Sequence, residues 1–346
     1  MAKVIENQQD SDALSLSTRP DIPLGSHPVE TEDYQIPTNE ILKVFAAVTR
    51  WIKLRVTGAT IYGRPRLGKT WMVKFLEKNL SKELEVNLPI HHIVSLHSKI
   101  AKEEEFLETL LSDMGHDFAF TGKTSVKRNR LIAFLYQQGN ANRYRIVLLF
   151  IDEAQCLEEL HYEWLIDYYN KLDKLNITLI LILVGQEQLN GQQLVFSHGH
   201  ADQIIQRFMI EEHKFVGIRT LEDIKVCLKC YDELSEYPAG SGWSFTRYYF
   251  PEAFAAGERL QNFSKEIFEI FTTLRQKYNL KGVFEIPMKH MTMAIKIVLL
   301  DYGKNSSKPQ HWISKKNWVD SILKTNYIIS EQRKNPNSVK QKRECP

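Results

Sequence analysis

The chain has 346 residues, of which 43% are hydrophobic and 25% charged, with a formal net charge of +3. These proportions exclude a disordered or low-complexity chain, and so small a net charge excludes a uniformly basic nucleic-acid coat, so any cation-rich surface must be local. No stretch of eighteen uncharged apolar residues occurs and the first thirty residues are polar without an apolar h-region, which predicts a cytoplasmic protein that avoids membranes.

Residues 1 to 36 are rich in Ser, Asp, Pro and Glu, lack periodicity, and read as a flexible arm. Pro37-Thr38-Asn39 opens a helix whose apolar face is Ile41, Leu42, Phe45, Val48, Trp51 and Ile52. An apolar run from Val56 to Ile61 then leads into Gly63-Arg64-Pro65-Arg66-Leu67-Gly68-Lys69-Thr70, and Trp71 begins a helical pattern to about 82. A second strand is expected over 88 to 96, and helices over about 102 to 115 and 124 to 138. Ile146 to Ile151 and Thr178 to Val184 are continuous apolar runs that fit strands buried on both faces, with a helix between them at about 157 to 174. A helix over 202 to 209 and a short strand over about 209 to 216 close this part of the chain. Strands alternating with helices predict a parallel sheet with crossover helices over 37 to 218. From 219 to 330 only helical patterns remain, at about 220 to 235, 251 to 278, 287 to 302 and 314 to 325, which predicts a small all-helical domain. Residues 331 to 346 carry Arg333, Lys334, Lys340, Lys342 and Arg343 and read as a basic disordered tail. The four cysteines suggest no disulfide framework; Cys227 and Cys230 lie in a helical pattern with no second pair, so packed thiols are expected.

The spacing G-x-x-x-x-G-K-T over residues 63 to 70, between a strand and a helix, is that of a phosphate-binding loop. Its glycines permit the tight turn, its N–H groups and the helix N-terminus face phosphate oxygens, Lys69 reaches the terminal phosphates and Thr70 holds Mg²⁺. The nucleotide-contacting set is thus Gly63, Arg64, Pro65, Arg66, Leu67, Gly68, Lys69, Thr70 and Trp71. Asp152, ending a buried strand, is the expected metal partner of Thr70, and Glu153 is placed to orient and deprotonate the attacking water. Gln186 ends the next strand, where a side-chain amide reaches the γ-phosphate or the water. Arg207 suits either a charge delivered in trans to a neighbour's nucleotide or a local salt bridge.

With these residues placed, roughly residues 38 to 300 resemble AAA+ ATPases, in particular the TnsC/TniB transposition regulators in the compact form found in CRISPR-associated transposons. The resemblance rests on the phosphate loop, Asp152-Glu153-Ala154-Gln155, the strand ending Val184-Gly185-Gln186 and the helix ending Arg207-Phe208. It implies an AAA+ P-loop core followed by a helical lid, with Gln186 at the sensor-one position and Arg207 in the arginine-finger region. It also implies an ATP- and Mg²⁺-dependent ATPase that forms a hexameric or heptameric ring, or a helical filament, around double-stranded DNA. That assembly would link a target selector of TniQ/TnsD type to a transposase of TnsB/TnsA type. Family members touch the DNA backbone from the segment after the second strand, which here offers Lys99, Lys102, Lys123, Thr124, Lys127, Arg128 and Arg130. The family's sensor-two arginine has no counterpart in Lys281 to Lys289, so either Lys289 substitutes or that contact is lacking. Two rival readings remain: an AAA+ loader or initiator in replication or recombination, and a nucleotide-gated scaffold with incidental hydrolysis.

Overall fold

A run of consecutive apolar residues is buried only if both faces of its strand are covered. The structure, a computed structural model that describes residues 18–97, 100–199 and 201–333, covers them. Five strands, β1 (Gly58–Tyr62), β2 (Ile90–Val94), β3 (Ile146–Asp152), β4 (Thr178–Gly185) and β5 (Glu211–Lys214), form one sheet in the order β2-β3-β4-β1-β5, and every pairing is parallel. In β3, Val147, Leu149 and Ile151 join the core on one face, while Ile146, Leu148 and Phe150 join the core on the other. The first core is completed by helices Glu103–Asp113, Thr124–Asn140 and Glu159–Lys174, and the second by helices Asn39–Lys53 and Lys69–Glu83. Helix Asn39–Lys53 is tied to the edge strand β5 by polar bonds: the Trp51 indole donates to Glu211 at 2.9 Å, and His213 Nε2 lies 2.8 Å from Glu40.

The chain divides into two compact units, residues 40–216 and residues 1–39 with 217–346. The described helices of the second unit surround a core that includes Tyr231, Phe271 and Trp318. Leu221–Lys229 begins with a capping box between Thr220 and Asp223, and its Cys227 and Cys230 are buried free thiols, packed as expected. The helix expected over 251 to 278 is broken into Pro251–Ala255, a 3₁₀ turn Leu260–Phe263 and Ser264–Lys277. The first of these is stopped by Gly257, at φ 95°, where the Glu258 N–H returns to the Ala253 carbonyl, and the buried Asp232 carboxylate accepts the N–H groups of Leu260 and Gln261 at 3.0 and 2.9 Å beyond the break.

Two expectations need correction. The arm expected to be flexible over 1 to 36 packs into the helical unit from Arg19 onward: Val29 is fully buried, Tyr34 bonds to Tyr231 at 2.7 Å, and Lys296 holds Glu30 and Glu32. Residues 1–17 lie outside the described residues. In the tail assigned to 331 to 346, Glu331 is buried in helix Tyr327–Gln332, 3.6 Å from the Arg275 guanidinium. Lys334, Lys340, Lys342 and Arg343 lie outside the described residues. Among the described residues no helix is long and apolar enough to cross a membrane.

Candidate nucleotide site

Strand order decides what meets at the carboxyl ends of the sheet. β4 lies between β1 and β3, so the residue ending it stands between the phosphate loop after β1 and the acidic pair ending β3. Gly63 N–H donates to Gly185 O at 3.2 Å and locks the two strand ends together. A Cβ on Gly63 would lie 2.3 Å from the Phe215 carbonyl oxygen, so only glycine lets the loop leave the sheet here. Gly68 then caps helix Lys69–Glu83 at φ 104° with no side-chain cap, leaving the helix N-terminus open to an anion.

Lys69 is buried, and its Nζ donates to the carbonyls of Gly63 and Arg64 at 2.7 and 2.9 Å, curling back over the loop. Burial lowers its pKa, against the pull of Glu153, Asp152 and Glu187. A triphosphate entering the loop offers the ammonium better partners than two neutral carbonyls. Trp71 is partly exposed at the start of the helix, with the Lys74 ammonium 4.6 Å from its ring.

Thr70 Oγ1 donates to Asp152 Oδ2 at 2.9 Å, so the two expected metal ligands are already side by side. Burial works to raise the Asp152 pKa, but His92, the Glu153 N–H and the Thr70 hydroxyl outweigh it, and the group is held below its ordinary value. An anionic carboxylate beside a hydroxyl is an oxygen donor set that suits Mg²⁺, which takes one or two protein ligands and leaves the rest to phosphate and water. Among the described residues no group of three His, Cys, Asp or Glu side chains could hold a metal ion.

Glu153 sits in the left-handed region at φ 53°, a conformation that costs a non-glycine residue roughly 1–3 kcal/mol. Two amides hold its carboxylate there: Gln155 Nε2 donates to Oε2, and Gln186 Nε2 donates to the same oxygen at 3.3 Å. Gln155 also accepts the Gln186 N–H at 2.9 Å, and Gln192 donates to the carbonyls of Gln155 and Leu157 at 3.1 and 2.8 Å. Gln155, the last residue of the Asp152-Glu153-Ala154-Gln155 motif, thus takes a positioning role that the sequence analysis does not assign to it.

Arg207 is at the other end of the sheet. The Thr57 hydroxyl, one residue before β1, donates to the Arg207 carbonyl, and Phe208 packs against Gly58. The guanidinium lies 5.1 Å from the Tyr169 ring, at the C-terminal end of helix Glu159–Lys174. Five residues of β1 separate it from the phosphate loop, about 15 Å at a strand's rise.

The expected DNA-contacting group is only partly available. Lys127 is 2% exposed, with its Nζ 2.7 Å from Glu104 and also 2.5 Å from Glu108. Arg128 forms a forked pair with Glu103, which Tyr168 also bonds at 3.0 Å. These cations join helix Glu103–Asp113 to helix Thr124–Asn140; Lys127 is buried in that junction and corrected to a structural role, whereas the Arg128 side chain stays 35% exposed. Arg130 donates to the carbonyls of Phe118 and Thr121, Lys102 pairs with Glu105 at 2.6 Å on the surface, and Lys123 and Thr124 start their helix near the surface. Lys99 lies outside the described residues. Lys289 is exposed in the first turn of helix Met288–Tyr302.

Residues 57–193 match the protein family described as AAA domain. No curated protein matches the sequence. Among solved structures, the ORC2 protein of Aeropyrum pernix, in ADPNP-ADP complexes, is similar at 13% identity and a TM-score of 0.55, over 86% of this chain and 71% of that one. Domain III of the Thermotoga maritima replication initiation protein DnaA is similar at 16% identity and a TM-score of 0.47, over 89% of this chain and 99% of that one. The fold of this chain is therefore that of an AAA+ P-loop NTPase with a helical C-terminal region.

Proposed function

We propose that this chain is an ATP-hydrolysing switch that assembles head to tail on duplex DNA and regulates transposition, coupling target selection to transposase recruitment. Lys69 and the loop N–H groups bind the β- and γ-phosphates, and Thr70 with Asp152 holds Mg²⁺, which offsets phosphate charge when bound. Gln186 orients a water against the γ-phosphorus. As the water oxygen bonds to phosphorus and the bond to the β–γ bridging oxygen breaks, Glu153 takes the water's proton and ADP leaves with that oxygen. The ORC2 protein whose fold this chain shares is described in ADPNP-ADP complexes, which supports an adenine nucleotide as the ligand.

The position of Arg207 carries the assembly reading. An arginine at the amino end of β1 is out of reach of the phosphate loop at the carboxyl end. It serves hydrolysis only by entering a neighbour's site, which requires copies packed head to tail. The DNA and transposition parts rest on the D-E-A-Q, V-G-Q and R-F motifs, with Lys99, Lys102, Lys123 and Thr124 as the backbone-contacting group. The transposase and the target selector follow from the same motifs.

Electron microscopy of the full chain with duplex DNA, with and without ADPNP, tests this. Rings or filaments that need both nucleotide and DNA are expected. A monomer that binds nucleotide and ignores DNA would overturn the reading, and assembly on one particular duplex sequence alone would favour a loader or initiator.

A further inference from the structure

β2 runs beside β3 and places His92 opposite Phe150, two residues short of the acidic end of that strand. Its side chain is 16% exposed, and its Nε2 lies 3.7 Å from Asp152 Oδ2. That is close enough for charge attraction and too far for a hydrogen bond. Among the described residues the buried His92 Nε2 has no hydrogen-bond partner. A buried ring nitrogen left without a partner is costly and calls for an explanation. The oxygen it points toward is engaged elsewhere, because Asp152 Oδ2 accepts the Thr70 hydroxyl at 2.9 Å.

Loading the site with Mg²⁺ and nucleotide would change that partnership. The Thr70 oxygen that now donates to Asp152 is the oxygen expected to turn its lone pair to Mg²⁺, and Asp152 is the other expected ligand. Metal binding therefore alters the environment of Oδ2, and the one unused buried ring nitrogen beside it is His92 Nε2. Carboxylate ligands of metals are regularly oriented by such an outer partner.

We propose that His92 is a positioning residue for the Mg²⁺–nucleotide state, whose Nε2–H takes up Asp152 Oδ2 when Thr70 gives it up and so fixes the carboxylate toward the ion. This rests on the nucleotide reading above and adds a residue to it. The role acts through Asp152, so His92 touches neither phosphate nor metal. Without nucleotide the ring contributes packing and a charge attraction to Asp152 across 3.7 Å, with no hydrogen bond.

The test is the affinity of the full chain for ADPNP, measured with saturating Mg²⁺ and again in EDTA, for wild type, His92→Ala and His92→Gln. Losing an outer partner of a metal ligand costs about 10- to 100-fold in metal affinity. His92→Ala should therefore weaken ADPNP binding about tenfold or more in Mg²⁺ and leave the EDTA value unchanged. His92→Gln, which keeps an N–H donor, should recover at least part of the loss. Thermal unfolding without nucleotide should be nearly the same for wild type and His92→Gln, so the glutamine variant carries the test if the alanine variant folds poorly. Equal affinity of wild type and both variants in Mg²⁺ would overturn the proposal. So would an equal loss in Mg²⁺ and EDTA, which marks a packing role. Wild type that binds ADPNP no better with Mg²⁺ than without would overturn the metal site itself, and that failure is visible before any variant is made.

Discussion

Glu153 shows how tightly single residues are set around the proposed chemistry. Its backbone is left-handed, its carboxylate takes two amide donors, and the amide of Gln155 fits only because Gly185 has no side chain: a Cβ there would lie 2.5 Å from Gln155 Oε1. Gly185→Ala should displace the Gln155 amide and cost about 0.5–1.5 kcal/mol, the worth of a hydrogen bond, read as a lower urea midpoint; an unchanged midpoint would show that the amide is displaced at no cost. Glu153→Gln should slow hydrolysis by roughly a hundredfold or more, the usual worth of a general base, while ADPNP affinity stays near wild type. Hydrolysis at the wild-type rate would remove Glu153 from its role. Lys69→Ala should abolish nucleotide-dependent assembly, and filaments in that variant would contradict it. Much of this site was legible in the sequence because the phosphate loop and Asp152-Glu153 are contiguous words. Gln155 and His92 were not legible, because their meaning depends on which strand lies beside which.

At the scale of elements, the helix pair Glu103–Asp113 and Thr124–Asn140 shows what charge counting misses. Lysines in a run look like a DNA-facing stripe, but Lys127 and Arg128 lie inside the helix and pair with the acidic first helix, while Lys123 is the extended residue before the helix and stays at the surface. Lys127→Met should lower the unfolding temperature and leave the salt dependence of DNA binding unchanged. Lys123→Ala should do the reverse, reducing the slope of log K against log salt by about one unit. The opposite pattern would restore Lys127 as a phosphate contact. Strands were legible because β3 and β4 are unbroken apolar runs. Helix Glu187–His198 was not, since only Leu189 and Phe196 are buried along it and Gly191 interrupts it, which leaves no clear apolar stripe. The order β2-β3-β4-β1-β5 is likewise set by long-range pairing that no local pattern records.

At the scale of the whole molecule, each unit has its own core, and the N-terminal segment belongs to the helical one. His27 is stacked on Tyr248 at 4.6 Å and edged by Phe245 and Tyr249. Burial, then the charge of Arg19, lowers its pKa from 6.5 to about 4. The unfolded chain therefore binds a proton between those values that the folded chain refuses, so the contribution is full above pH 6.5 and is lost as pH falls toward 4. His27→Phe should flatten that part of the stability profile, and an unchanged profile would show that the ring titrates freely. The central claim, that one copy completes the site of the next, is tested most directly by mixing two inactive variants. Arg207→Ala keeps its own phosphate loop and Glu153, while Glu153→Gln keeps Arg207. Measured with DNA and ATP, each alone should hydrolyse little, and an equimolar mixture should regain a substantial part of the wild-type rate at the interfaces that pair the intact halves. A mixture no more active than its components would place Arg207 outside the neighbour's site and contradict the account.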